Sequence, residues 1–322
     1  MGQCHVVPCY SLMESSYDVN YLIRGHDGDH AGAGAFGEVR RCTHRASHAS
    51  RCVKTIPKKD CWTRGYVLEE IELLEMVSGK HPNIVRFFEF FEEWDCLHLI
   101  FEFCPRGSLD QVIHSSSFQA GGDELVAKLV CQVASALDFL KELAIVHRDV
   151  KPGNLLFEED QVKLADFGCA CLAPEPLEEP MGTPIFWAPE VHQLPRGKGY
   201  HFPVDMWALG ICFYMMLYQG VHPFLQKGFL SGEISDVWAC SVPHGFTMGR
   251  KDVQSGTFDA SWFTSWYAKD LLEWMLMPHP AQRLCPNEVP EHPWCSSFGL
   301  GKSSFARTVR RKIILDSHGN WI

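Results

Sequence analysis

The stretch I-V-H-R-D-V-K-P-G-N occupies positions 145–154, and the triplet D-F-G follows it, beginning at Asp166. Asp149 in this stretch is a candidate general base, and Lys151 is a compact positive charge two residues later. Asn154 and Asp166 offer oxygen ligands for a divalent cation. Phosphoryl transfer requires such a set, because the protein mainly positions the reactants and neutralises their charge.

These two motifs together resemble the protein kinase family, which carries H-R-D-x-x-x-x-N and D-F-G at this spacing. H-R-D alone carries little information, whereas the combination is specific. The resemblance covers roughly residues 21–296. It implies an α+β, bilobal fold with a small antiparallel-sheet lobe, a mainly helical large lobe and ATP between them. Lys151 is typical of serine/threonine kinases, and H-P-W at 292–294 is common in the calcium/calmodulin-dependent-like group.

The resemblance implies a role for each residue of the central stretch. Asp149 would orient the acceptor hydroxyl and take its proton, and Lys151 would steady the γ-phosphate. Asn154 and Asp166 would bind Mg2+. The implied reaction is transfer of the γ-phosphoryl group of Mg-ATP to a Ser or Thr hydroxyl of a protein substrate.

Two further residues complete the implied catalytic set. R-C-V-K, ending at Lys54, looks like the family's strand whose lysine holds the α and β phosphates. Apolar residues recur at helical spacing over 67–77, and Glu70 lies where the family's helix carries the partner of that lysine. The neighbouring carboxylates at positions 69, 72 and 75 lie on other faces of this helix.

G-A-G-A-F-G at positions 32–37 is a weak signal alone, but strand-like alternation after it favours a hairpin over a dinucleotide-binding helix. Glycines let the backbone approach phosphate closely. Cys52 replaces the usual alanine above the adenine, and its thiol is either reactive or buried and inert. The resemblance assigns the nucleotide to Gly32, Gly34, Gly37, Val39, Cys52, Lys54, Glu102, Cys104 and Leu156.

Positions 169–190 resemble the activation segment, which kinases commonly switch on by a phosphate that pairs with an arginine, here Arg148. Thr183 is the only hydroxyl residue between the D-F-G and A-P-E motifs. In the family this threonine contacts the catalytic Asp and Lys. We hypothesise that Glu175, Glu178 and Glu179 substitute for the phosphate; the alternative is that they are simply solvated.

Two structural contacts also follow from the resemblance. Asp205, in D-M-W-A-L-G, should bond to the backbone of the catalytic loop. Arg283 should form a buried ion pair with Glu190 of the A-P-E motif. Helical periodicity over 124–143 and an apolar stretch over 207–217 predict two core helices of the large lobe.

The chain has 322 residues, 46% of them apolar, and a net charge of −10, which argues against a nucleic-acid partner. Its 14 cysteines include no paired C-x-x-C of the zinc type, and we interpret them as reduced thiols. No apolar run reaches the roughly 18 residues of a membrane span. We expect a cytoplasmic protein.

We divide the chain into a flexible leader (1–20), the small lobe (21–103), the large lobe (104–296) and a tail (297–322). Gly2 and Cys4 could carry myristoyl and palmitoyl groups and so anchor the protein to a membrane, or the leader is plainly disordered. The tail is basic and apolar over 305–315. It is either a helix for calmodulin or another regulator, or a helix docked on the large lobe.

The sequence leaves one rival from a different functional class, a catalytically inactive kinase fold that acts as a scaffold tethered at a membrane. Inactive members typically lose the strand lysine, the catalytic Asp or the metal-binding Asp. All three are present here as Lys54, Asp149 and Asp166, which favours the enzyme.

Overall fold

The computed structural model describes residues 20–23, 30–34, 37–58, 61–194, 198–224 and 265–301. The first part forms one antiparallel sheet in the order β1-β3-β4-β6-β5, with β2 paired to β3. Both β4 and β5 carry buried and more exposed residues, as strands with one face on a core do. The strands are β1 (Tyr21–Ile23), β2 (His30–Gly34), β3 (Gly37–His44), β4 (Ser50–Pro57), β5 (Phe87–Glu92) and β6 (Cys96–Glu102).

One long helix, α1 (Cys61–Val77), contributes to this lobe. Its buried stripe includes Val67, Ile71 and Leu74, as the helical repeat predicts. Glu70 lies within the same stripe and is also buried. A carboxylate in that position is stable only with a partner, because burying an unpaired charge is costly.

The large lobe is mainly helical and is built around α6, in which every residue from position 204 to 216 is buried. This helix begins at Pro203, just before Asp205 of the D-M-W-A-L-G motif, because proline fixes a helical φ in the first turn. The described helices of the large lobe are α2 (Leu109–Val112), α3 (Ser116–Ala120), α4 (Gly122–Glu142), α5 (Pro189–His192), α6 (Pro203–Leu217), α7 (Trp266–Met275) and α8 (Pro293–Ser296).

Four short strands frame the segment that carries the central motifs. They are β7 (Ile145–Val146), β8 (Leu155–Glu158), β9 (Gln161–Leu164) and β10 (Cys171–Leu172). The hairpin of β8 with β9 and the pairing of β7 with β10 are both antiparallel. Positions 147–154 therefore connect β7 to β8, and Asp166 lies two residues after the end of β9.

Two bulk predictions can be compared with the structure. None of the described helices is both long and apolar enough to cross a bilayer. The ten cysteines whose side chains are described are all free thiols. The acylation sites Gly2 and Cys4 and the basic stretch at 305–315 lie outside the described residues.

We expect His222 to make the protein less stable in acid. Its ring is buried, Nε2 lies 2.9 Å from the carbonyl of Ile185, and Nδ1 accepts from the backbone N–H of Phe224. Burial lowers the pKa of His222 from 6.5 to about 4. Protonation thus favours the unfolded chain, so this contribution is complete above pH 6.5 and falls by about 3 kcal/mol as the pH approaches 4.

Urea unfolding between pH 4 and 7 measures this effect. The free energy of unfolding of His222→Gln should depend less steeply on pH than that of the wild type. The exposed His114, changed to Gln, is the matched control and should keep the wild-type slope. Equal slopes for the wild type and His222→Gln would show that His222 is not the responsible group.

Candidate active site

The loop that carries Asp149 is held by a buried carboxylate from α6. Asp205 accepts the backbone N–H of His147 and that of Arg148, each at 2.8 Å. Arg148 has φ +65°, a left-handed conformation that costs free energy for a residue with a side chain. The two hydrogen bonds hold this conformation, and the predicted contact of Asp205 with the loop backbone is confirmed.

Asp149 and Lys151 meet in an ion pair that Thr183 completes. The Lys151 Nζ lies 2.8 Å from Asp149 Oδ2. The Thr183 hydroxyl donates to Asp149 Oδ1 at 2.7 Å and accepts from Lys151 Nζ at 2.9 Å. The backbone N–H of Thr183 also donates to Asp149 Oδ1. The carboxylate therefore has a fixed orientation and is largely buried.

Asn154 is oriented by the same carboxylate. Its Nδ2 donates to the carbonyl oxygen of Asp149 at 2.8 Å and to Oδ2 at 3.1 Å. Because the amide nitrogen is used in this way, the Oδ1 of Asn154 is directed away from Asp149. The backbone N–H of Ala165 donates to the carbonyl of Asn154, which brings Asp166 close to Asn154.

Lys54 joins the two lobes. Its Nζ lies 2.8 Å from Glu70 Oε1 on α1 and 2.9 Å from Asp166 Oδ1. Although burial opposes it, the carboxylates of Asp166 and Glu70 raise the pKa of Lys54. Burial alone would raise the pKa of Asp166, but the Lys54 ammonium holds it below its ordinary value. Both groups are therefore charged at neutral pH.

The residues predicted to surround the adenine also come together. Cys52 on β4 is directly opposite Phe101 on β6. Phe101 and Leu156 pack against a small buried cluster that contains Cys104 and Ala165. Burial raises the pKa of Cys52 to about 11 and that of Cys104 to about 12. Both thiols are thus protonated at neutral pH, which favours the inert alternative over a reactive Cys52.

The glycines form the predicted hairpin of β2 and β3. Gly32 is opposite Val39, and Gly34 is opposite Gly37. Positions 35 and 36 at its tip lie outside the described residues. The hairpin pairs with β4, in which Lys54 is the register partner of Val39.

The donor set fits Mg2+. Asn154 and Asp166 supply an amide oxygen and an ionised carboxylate, and Mg2+ takes oxygen ligands, with few from the protein and the rest from water and phosphates. The low pKa of Asp166 keeps its carboxylate ionised for such a role.

The protein kinase domain family matches residues 26–295. The chain belongs to the protein kinase family. It is 34% identical over 288 residues to the serine/threonine-protein kinase DCLK1 of Rattus norvegicus. This matched region covers 88% of this chain and 62% of that protein. It is 32% identical over 283 residues to the calcium-dependent protein kinase 22 of Arabidopsis thaliana. That match covers 84% of this chain and 54% of the plant protein. The chain thus spans less than two thirds of the length of these relatives.

The family and the bilobal α+β fold predicted from the sequence are confirmed, and membership in the kinase family implies the use of ATP and Mg2+ in general. Two further contacts join these motifs, one between the H-R-D and D-F-G segments and the other the predicted pair of Arg283 with the A-P-E motif. The rings of His147 and Phe167 meet edge to face, with centroids 5.0 Å apart. Arg283 makes a bidentate ion pair with Glu190 at 2.8 and 3.1 Å.

The kinase activation segment differs from our hypothesis about its acidic residues. Arg148 donates through Nε to the carbonyl of Cys169. Glu175, Glu178 and Glu179 are exposed, and within the described residues no ion pair joins them to Arg148. In this structure they therefore make no contact with Arg148 that would take the place of a phosphate.

Gly182 allows the segment to reach the kinase catalytic loop. It has φ +85°, and a Cβ at this position would lie 2.0 Å from the carbonyl oxygen of Arg148. A side chain would therefore push the segment away and separate Thr183 from Asp149. Glycine is required here for both conformation and space.

One polar contact near the proposed nucleotide pocket was not predicted from the sequence. The side chain of Glu102 accepts from Lys163 Nζ at 2.6 Å and from the backbone N–H of Arg86 at 2.5 Å. The carboxylate of Glu102 is thus engaged within the protein. No local pattern signals this pair, because its members are 61 residues apart.

Proposed function

We propose that this chain is a protein serine/threonine kinase that transfers the γ-phosphoryl group of Mg-ATP to a hydroxyl of a protein substrate. The observation that carries the proposal is the position of Lys54 between Glu70 and Asp166, at 2.8 and 2.9 Å. Kinases require this strand lysine, the helix glutamate and the metal-binding aspartate to be in place together. An inactive scaffold has no need of that arrangement.

The catalytic residues divide the chemistry among them. Asp149 accepts the proton of the substrate hydroxyl while the hydroxyl oxygen forms a bond to the γ-phosphorus. At the same time the bond from that phosphorus to the bridging oxygen of ADP breaks. Lys151 neutralises charge on the transferring group. Lys54 would hold the α and β phosphates, and Asn154 and Asp166 would hold Mg2+, which neutralises phosphate charge when bound.

The choice of Ser or Thr as acceptor is supported by the residues around Asp149. Lys151 lies between the Asp149 carboxylate and the Thr183 hydroxyl, which is the arrangement of the serine/threonine branch. The relatives named above are also serine/threonine or calcium-dependent protein kinases by name.

We further propose that the segment 169–190 adopts its active form without phosphorylation. Backbone and side-chain contacts inside the protein support this form. Cys171 pairs with Val146, Leu177 forms a bridge with Tyr200, and Trp187 Nε1 donates to the carbonyl of Met181.

The regulatory regions remain proposals from the sequence. Lipid groups on Gly2 and Cys4 would place the enzyme on a cytoplasmic membrane surface. The basic apolar stretch at 305–315 would bind calmodulin or inhibit the kinase directly. We also retain the division into a small lobe at 21–103 and a large lobe at 104–296.

ATP-dependent phosphorylation of a peptide mixture by the purified chain tests the function. We expect transfer to Ser and Thr, and a loss of at least about 100-fold in Lys54→Met, because an electrostatic contact to phosphate is removed. The exposed Lys80, changed to Met, is the control and should retain activity. Intact mass should show no phosphate on Thr183 in the active enzyme. ATP binding without transfer by the wild type would instead favour the scaffold.

The same assay with and without calcium-calmodulin tests the tail. Stimulation that disappears on deletion of 305–315 would support the calmodulin helix. Equal activity in both conditions would favour a tail that is docked on the large lobe.

A further inference from the structure

A cluster of metal-ligand side chains lies at the β5–β6 hairpin of the small lobe, apart from the residues assigned to catalysis. It consists of Glu93, Cys96 and His98. The turn between the strands is closed by the backbone N–H of Glu93, which donates to the carbonyl of Cys96 at 2.9 Å. Cys96 and His98 are two residues apart on β6, so they lie on the same face of the sheet.

The three potential ligand atoms are spaced as around a tetrahedral Zn2+ ion. Cys96 Sγ lies 3.3 Å from His98 Nε2 and 3.9 Å from Glu93 Oε2, and His98 Nε2 lies 3.4 Å from Glu93 Oε2. Ordinary Zn–S, Zn–N and Zn–O bond lengths at tetrahedral angles place the sulfur about 3.5 Å from the other two atoms, and nitrogen about 3.3 Å from oxygen. One ion can therefore reach all three with small side-chain movements.

The histidine is oriented for such a role by the neighbouring strand. His98 is buried, and its Nδ1 lies 3.0 Å from the hydroxyl oxygen of Thr55, which is its register partner on β4. When Nδ1–H donates to Thr55, Nε2 carries the lone pair that faces Cys96 and Glu93. Metal-bound histidines are typically fixed through the second ring nitrogen in this way.

The local charges favour a cation. The carboxylates of Asp95 and Glu93 both act on Cys96, and the Lys58 ammonium is the nearby positive charge. Lys58 donates to the carbonyl of Glu93 and pairs with Glu92, so its charge is directed at other oxygens.

We propose that Glu93, Cys96 and His98 bind one Zn2+ ion, with a water molecule as fourth ligand. A thiolate with an imidazole selects zinc over magnesium or calcium, which prefer oxygen alone. On binding, the Cys96 thiol loses its proton to solvent and forms the Zn–S bond. Because His98 also contacts β4, the ion links the hairpin to the centre of the small-lobe sheet and stabilises this lobe. This site is independent of the proposed kinase reaction.

Cobalt and zinc titrations of the full chain test the site. The protein is first dialysed against a chelator and then kept in excess Mg2+. One equivalent of Co2+ should give a thiolate-to-metal absorption band that Zn2+ displaces. Cys96→Ser should abolish the band, and Glu93→Gln should weaken Co2+ binding at least about 10-fold. The exposed Cys285, changed to Ser, is the matched control and should keep the band.

Thermal unfolding gives a second measurement on the same proteins. Zn2+ at one hundred times its dissociation constant should raise the unfolding midpoint of the wild type by about 5 °C. Cys96→Ser should lose this rise. If Cys96→Ser does not fold, the Glu93→Gln variant provides the test. Metal binding by Glu93→Gln with the affinity of the wild type would overturn the proposal. An unchanged cobalt band in Cys96→Ser, or no band in the wild type, would also overturn it.

Discussion

Replacement of Asp149 by Asn is expected to lower kcat for peptide phosphorylation by about 1000-fold or more, with little change in KM for ATP. Asp149 is the carboxylate placed to take a proton from the substrate hydroxyl. Its two oxygens are already oriented, Oδ1 by Thr183 and Oδ2 by Lys151 and Asn154. Asparagine has nearly the same shape but is not a base at neutral pH, so it removes the proton acceptor and retains the loop.

Steady-state kinetics and ATP binding measured on the same preparations separate this effect from misfolding. The exposed Asp160, changed to Asn, is the control and should behave as the wild type. If Asp149→Asn retained kcat within 10-fold, the general-base role would be wrong, and Asp149 would then only orient the acceptor.

The convergence of the proposed catalytic residues was predictable because phosphoryl transfer restricts which side chains suffice and how far apart they lie. The contact of Lys54 with Asp166 joins motifs 112 residues apart and that of Asp149 with Thr183 joins motifs 34 residues apart, yet each motif is short and local. The ends of the elements were less predictable. Helix α1 begins at Cys61, whereas the apolar repeat starts at Val67, because its first turns include exposed residues that carry no periodic signal.

The contact of the Arg148 side chain with a backbone carbonyl could not be predicted. The Nε of Arg148 donates to the carbonyl of Cys169, and any residue type at position 169 offers that oxygen. Our hypothesis required an ion pair between Arg148 and the acidic residues of this segment, and the described residues show none. Similarly, E-x-x-C-x-H at 93–98 is not a usual zinc spacing. The three side chains form a cluster only because a closed turn and the alternation of β6 place them on one face.

Substitution of Arg283 by Met is expected to lower the free energy of unfolding by about 3–5 kcal/mol. The Arg283 side chain is fully buried and Glu190 is 11% exposed. The guanidinium makes two hydrogen bonds to Glu190, donates to the carbonyl of Pro203 at 2.7 Å, and lies 5.3 Å from the ring centre of Trp207. Methionine fills part of the space but leaves a buried carboxylate and a carbonyl without their donor.

A double-mutant cycle with Glu190→Gln, followed by urea unfolding, identifies the cause. Removing the charge of Glu190 should cost stability in the wild type and little in Arg283→Met, because the carboxylate there already lacks its partner. The coupling should be about 1 kcal/mol or more. Arg106, whose ion pair with Asp160 is exposed, is the matched control, and Arg106→Met should change stability by less than about 1 kcal/mol. Additive effects of Arg283→Met and Glu190→Gln would show that packing against Trp207, rather than the ion pair, joins the end of the activation segment to α6.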